Sequence, residues 1–259
     1  MKTPLLFTGL LAAGLLTHPA VAQIDIHFQT PGPLKLRYGL RAGGLSTRTT
    51  TPTQYIVYDG QAHLYGYQGG IAAEAAWGWL AVQPALVYTQ KGHLYDAVTP
   101  YTYQGGQYKA RRRDELRINY LELPINLVAT VHHVQLLAGP YVAWALSGYT
   151  KQWSVAEGAT PPGATFGTVY RDDLHFGRGH NYRVVDYRRF DAGLNAGLGY
   201  QVGPAQVQLT YALGLTDFDY PAPDPANRNP YSGYSGNTIN KHRGWQLHAT
   251  YFFGGKQAE

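Results

Sequence analysis

Apolar and polar residues alternate along this chain in runs of about ten, a period that a strand can use and a helix cannot. Ala205 to Thr216 shows it most cleanly. Ala205, Val207, Leu209, Tyr211, Leu213 and Leu215 share one face, and Gln206, Gln208, Thr210, Ala212, Gly214 and Thr216 share the other. A tilted strand of about 9–11 residues crosses a bilayer. Strands of this kind closed into a ring suggest an outer-membrane barrel.

The alternation predicts about eight strands, at 34–45, 67–77, 79–90, 115–131, 134–148, 189–202, 205–216 and 243–253. Their apolar faces carry, among others, Leu36, Tyr38, Leu40, Ile71, Trp77, Leu86, Tyr88, Val142, Trp144, Leu194, Leu198, Trp245, Leu247 and Phe253. Pro84 removes a ladder donor inside the third strand and hints at a bulge. In 115–131 the apolar residues change phase, from Leu116, Ile118 and Tyr120 to Leu121, Leu123, Ile125 and Leu127. One inserted residue near Tyr120-Leu121, a β-bulge, would restore the register.

Connections alternate in length. Short turns are expected at Trp77-Gly78-Trp79, His132-His133 and Gly203-Pro204, and long connections at 46–66, 91–114, 149–188 and 217–242. Bacterial barrels pair short periplasmic turns with long extracellular loops, and an even strand number then puts both termini in the periplasm. The expected fold is all-β: a single antiparallel up-and-down transmembrane barrel.

The first 22 residues read as a secretory signal peptide. Lys2 supplies the positive start, Leu5 to Leu16 the apolar core, and Ala20-Val21-Ala22 the small-residue cleavage site. Residues 23–33 form a short lead-in, 34–254 the barrel and 255–259 a tail. With Cys 0 there is no acylation site for a lipoprotein and no disulfide, so stability must come from packing and backbone pairing. After the signal no run of eighteen apolar residues follows, which argues against helical spans.

Alternation alone does not say which face points outward. Three features favour lipid outside. The second face is rich in Gly, Ala, Gln, Thr and Asn, as a crowded lumen requires, and charged residues make up only 14% of the chain against roughly 25% in soluble domains. Aromatics gather toward strand ends, as in interfacial girdles: Trp77, Trp79, Tyr88, Trp144, Tyr200, Trp245, Tyr251 and Phe253. The last strand closes on Tyr251-Phe252-Phe253, like the aromatic C-terminal signal read by barrel-insertion machinery. The net charge of +5 is scattered rather than clustered, which argues against nucleic acid as a partner.

Six stretches carry a family resemblance: YGLRAGGLS at 38–46, WLAVQPALVYTQKG at 79–92, INYLELPINL at 118–127, LLAGPYVAWALSG at 136–148, FDAGLNAGLGYQVG at 190–203 and YALGLTDF at 211–218. In this order they resemble the PorT-type outer-membrane β-barrel family, often labelled porin family protein. Ala85 departs from the pattern, since relatives commonly carry a glutamate after the Gln-Pro pair. The resemblance implies a small outer-membrane barrel, and it implies no substrate. A founding relative takes part in protein secretion.

The polar face carries Lys35, Arg37, Arg41, Glu74, Arg117, Glu122 and Asp191. In a barrel this small the interior fills with side chains, and charges there must pair. These seven are expected to form a lumenal ion-pair network that plugs the barrel, with a narrow ion path as the functional alternative. No cofactor, metal or catalytic site is expected. Adjacent strand residues such as His132 and His133 point to opposite faces and read as a turn. His175 and His180, beside Asp172 and Asp173, lack a trustworthy ligand spacing. The glycines Gly193, Gly197 and Gly199 lack the spacing of a nucleotide loop and read as small lumen residues. A lipid-modifying enzyme is the class alternative, but His248, Ser147 and Ser154 do not assemble into a triad. A third class is a binding surface on the loops, which are rich in Tyr58, Tyr65, Tyr95, Tyr101, Tyr103 and Tyr108 and carry Arg111-Arg112-Arg113. Partners expected are outer-membrane lipid and lipopolysaccharide, the insertion machinery, and a secretion-system or surface ligand.

Overall fold

The computed structural model describes residues 33–50, 61–104, 106–157, 167, 169–177, 186–220 and 240–257. The signal segment, nearly all of the lead-in, Tyr58 and His180 lie outside the described residues.

Eight long strands form the wall: β1 (Lys35–Thr50), β2 (Leu64–Trp77), β3 (Leu80–Tyr103), β4 (Gly106–Val131), β5 (Val134–Ala156), β6 (Phe190–Val202), β7 (Ala205–Gly214) and β8 (Lys241–Gln257). Each pairs antiparallel with its sequence neighbours, and β1 pairs with β8 to close the ring. The register is legible residue by residue. Leu36 faces Ala75, then Val82, Leu127, Ala138, Ala196, Tyr211 and Trp245, and the circuit returns to β1 at Ser46. That is a shear of ten residues in one turn of the ring. At ~3.3 Å per residue and ~4.8 Å between strands, eight strands with this shear tilt by about 41°.

Three two-residue turns close one end, at Gly78-Trp79, His132-His133 and Gly203-Pro204. Gly78, His132 and Gly203 all adopt positive φ, at 67°, 58° and 57°. A left-handed first residue lets so short a turn follow the strand twist. This turn end stands opposite a loop end, where the long connections lie.

The apolar face points outward. Leu36, Leu40, Ile71, Leu127, Leu136, Leu198, Leu209 and Leu247 are all exposed on the wall. Such a continuous oily belt far exceeds what a water-facing surface carries. On β4 it runs from Leu121 to Val131. With the tilt above, that run spans about 25 Å along the barrel axis, the height of an outer-membrane lipid band. Among the described residues, no helix is long and apolar enough to cross a membrane.

Four expectations require correction. The phase change in 115–131 is not a bulge of that strand. β4 alternates strictly from Leu116 to Val128, so Leu116, Ile118 and Tyr120 point inward and are buried. The register shift lies between β4 and β5, where Asn119 faces Ser147 and Tyr120 faces Ala145; the extra residue is Leu146 on β5. Pro84 causes no bulge either, since the β3 register with β2 and β4 is the same on both sides of it.

The segment 91–114 is not an open loop. β3 and β4 continue as a paired arm from Lys91↔Ile118 to Tyr103↔Gly106, and turn at Gln104 with φ 47°. Above the lipid both faces of a strand meet polar surroundings, so the hydrophobic period that marks a strand disappears there. For the same reason β1 and β5 outrun their expected ends at the loop end, while β8 extends at the turn end to Gln257, paired with Lys35, inside the stretch expected as a tail.

Candidate functional site

The lumen is packed in three tiers. Nearest the turn end is a ladder of amides. Arg37 Nε donates to Glu74 Oε1 at 2.5 Å, and its guanidinium lies 4.3 Å from the Phe252 ring centroid. Gln83 Nε2 donates to the other Glu74 oxygen. Gln208 Nε2 donates to Gln83 and to Gln135, Gln206 Nε2 donates to Gln135, and the His248 ring bonds Gln208 Oε1 at 2.9 Å. These side chains come from β1, β2, β3, β5, β7 and β8, so the ladder ties opposite walls together. Gly199 makes room for it: a Cβ there would sit 2.8 Å from both Gln135 and Gln208 side chains.

The middle tier is ionic. Lys91, only 1% exposed, pairs with Glu122, and its Nζ lies 3.7 Å from Asp191 and 4.1 Å above the Tyr141 ring. Asp191 accepts from Thr216 Oγ1 at 2.8 Å and from Tyr141 OH at 3.3 Å. Arg41 donates to Thr250 at 3.1 Å and lies within electrostatic reach of Glu122. The two cations and two carboxylates of this tier balance, which is what allows them to be buried at all. Gly193 admits the Tyr141 ring, whose edge would lie 2.6 Å from a Cβ at that position.

The third tier is apolar and caps the lumen at the loop end. Leu116, Ile118, Tyr120, Tyr141, Tyr187 and Phe218 form one buried cluster, with Leu174 and Phe176 packed against it. Phe218 stacks on His242 at 4.6 Å, and Tyr120 OH meets His242 Nε2 at 3.2 Å. Leu174, Phe176, Tyr187 and Phe218 come from connecting segments that fold inward across the mouth.

The seven residues expected as one network are therefore distributed. Arg37 and Glu74 meet in the first tier, and Arg41, Glu122 and Asp191 in the second. Lys35 is exposed at the turn end and makes no ion pair among the described residues. Arg117 lies outside the lumen. Because β4 does not bulge, Arg117 faces outward, where it pairs with Glu115 and reaches Gln90 and the Tyr65 carbonyl. With Asn119 and Ser147, it marks the upper edge of the lipid belt.

Lys91, the central cation, falls in the stretch expected as a loop. Its parity is that of Gln83, Val87 and Thr89, so extending the same alternation by two residues would have placed it in the lumen. Ala85, where relatives commonly carry an acid, packs with Ala72, Val87 and Phe252 in a small apolar patch.

Other candidates resolve more simply. His132 and His133 form a turn, with His133 Nδ1 3.0 Å from the Gln201 carbonyl. Among the described residues no three acids or histidines converge on a metal-sized site. His248 is locked in the amide ladder, and Ser147 faces outward against Asn119. Sequence reasoning missed one Ser-His contact: Ser46 Oγ lies 3.0 Å from His63 Nδ1 on the exposed loop-end rim. No carboxylate hydrogen-bonds His63 among the described residues, so the third group that would orient the imidazole is missing.

Above the belt the arm is knit by charge and ring contacts. Arg111 Nε donates to Asp96 at 2.7 Å and holds that carboxyl below its ordinary range. Arg113 and Lys151 flank Trp153, and Arg171 lies over Tyr149 at 4.0 Å.

An eight-strand antiparallel ring with a lipid-facing belt and a filled interior defines a small transmembrane barrel. The chain belongs to the outer membrane protein beta-barrel domain family, whose model matches residues 21–220. This membership, together with the belt, places the protein in the outer membrane. Among solved structures it is similar to Ail, the attachment invasion locus protein of Yersinia pestis, at 11% identity and TM-score 0.36 over 86% of this chain and 99% of that one. It is also similar to Neisserial surface protein A, at 10% identity and TM-score 0.36 over 83% and 97%. Both likenesses are faint, and the ring stands on the pairing register alone. Comparison with curated proteins found no match.

Proposed function

We propose that this protein is a closed, non-enzymatic barrel of PorT type that displays its loop-end arm as a binding surface, with both termini in the periplasm. The observation that carries this reading is the filled lumen: among the described residues an amide ladder, a balanced ionic tier and an apolar cap succeed one another from the turn end to the loop end. The arm supports the second half, because paired strands hold Arg112 and its neighbours rigidly above the lipid, and a rigid surface loses little entropy on binding. The resemblance to PorT-type sequences adds a secretion assembly to the partners worth testing, besides lipopolysaccharide and the insertion machinery.

Planar-bilayer recording tests closure. The purified protein is expected to give no stable conductance steps. Reproducible unitary steps would replace the plug with an ion path. Protease added to intact cells is expected to cut at the loop end alone.

A second reading is a lipid-modifying enzyme, favoured by the Ser46–His63 contact at the rim. Its test is mass analysis of lipid A from cells carrying wild type or Ser46→Ala. Identical lipid A in both leaves the non-enzymatic reading standing.

A further inference from the structure

We propose that a phosphorylated membrane lipid docks in a cavity at the loop-end edge of the belt, between β5 and β6. The cavity, about 340 Å³, is lined by Trp144, Phe176, Arg188, Arg189, Phe190 and Tyr220, among others. It exists because the wall parts there. β5 and β6 pair up to Trp144↔Phe190; beyond that, β5 passes its bulge at Leu146 and pairs instead with residues 169–173. The gap opens toward lipid, since Trp144 and Phe190 are both about half exposed on the outer wall, at 52% and 48%.

The lining has two chemistries. Trp144, Phe190 and Phe176 offer an apolar side continuous with the belt, fit for an acyl chain. Arg188 and Arg189 offer two guanidiniums at the level where the belt gives way to polar residues, fit for a phosphate. Both arginines are held in place before any ligand arrives. Arg188 N–H donates to the Phe218 carbonyl, and the Arg189 carbonyl accepts from Ala145 N–H, each at 2.7 Å. The guanidiniums lie 4.9 Å from the Tyr220 and Phe176 rings, respectively. Among the described residues Arg188 Nε has no hydrogen-bond partner. The nearby acid, Asp219, is turned to Asn240 at 2.7 Å, and burial pushes its carboxyl up to about 6 despite the opposing pull of Arg188. Even with Asp219 ionised at neutral pH, two guanidiniums outnumber that carboxylate and keep positive charge to offer an anionic headgroup. That the lipid comes from the outer leaflet rests on the orientation proposed above.

Native mass spectrometry of the full mature chain in non-ionic detergent tests the site, with bis-phosphorylated lipid A, the same lipid stripped of phosphate, and phosphatidylethanolamine as probes. One bis-phosphorylated lipid is expected to stay bound per protein, and the stripped lipid to be retained about tenfold less. Arg188→Gln/Arg189→Gln is expected to lose retention to a similar extent, while Lys35→Gln at the turn end leaves it unchanged. Heat-modifiable gel mobility verifies folding, and should the double variant fail it, Arg189→Gln alone is expected to weaken retention about threefold. Equal retention of stripped lipid, or by the folded arginine variant, overturns the site. The assay is indifferent to orientation, so its failure is separate from a failure of the protease result.

Discussion

Lys91→Met is expected to destabilise the barrel by about 3–5 kcal/mol, because it removes one partner of a buried ion cluster and leaves the others unbalanced. Lys91 neutralises Glu122 and Asp191 together with Arg41, and its removal leaves one excess negative charge in a tier that water scarcely reaches. Equilibrium unfolding by guanidinium in lipid vesicles measures the loss. Lys91→Met/Asp191→Asn restores neutrality, with Arg41 still opposite Glu122, and is expected to recover most of it. A double variant as unstable as the single one would show that packing around Lys91, and not charge balance, is what the tier depends on.

Leu209→Arg is expected to cost about 2–4 kcal/mol in the same assay, the penalty for a cation on the lipid face near the bilayer midplane. Leu209 sits between Leu198 and Leu247 at the centre of the belt, 45% exposed. Leu213→Arg, nearer the loop end of the same strand, is expected to cost less, because the penalty falls toward the interface. Equal costs at the two depths would contradict the placement of the belt.

How the lumen is arranged was only partly legible in the sequence. The faces of β2, β6, β7 and β8 follow directly from alternation, because each has oil on one side and small or polar residues on the other. Alternation misleads where the inward face is itself apolar. Leu116, Ile118 and Tyr120 look like lipid-facing residues one register out of step, yet they point inward and pack under Phe218. Period two reports a change of environment between faces and not the identity of either. Arg117 was misplaced by the same error, and Lys91 was lost because the strand signal fades where lipid ends.

The order of strands, their closure into a ring and the direction of the oily face were determined by the sequence, because hydrocarbon tolerates no unpaired backbone and no outward charge along the belt. Only the tertiary structure decided which lumen groups meet. Arg37 finds Glu74 on the adjacent strand, but Lys91, Glu122 and Asp191 come from β3, β4 and β6 and are gathered by the shear of the ring. A displacement of ten residues around a closed sheet is a global quantity, and no local stretch of the chain contains it. The apolar cap is equally a tertiary feature: Phe218 and Leu174 lie on connecting segments far along the chain from Leu116, Ile118 and Tyr120 and meet them only across the mouth of the closed ring.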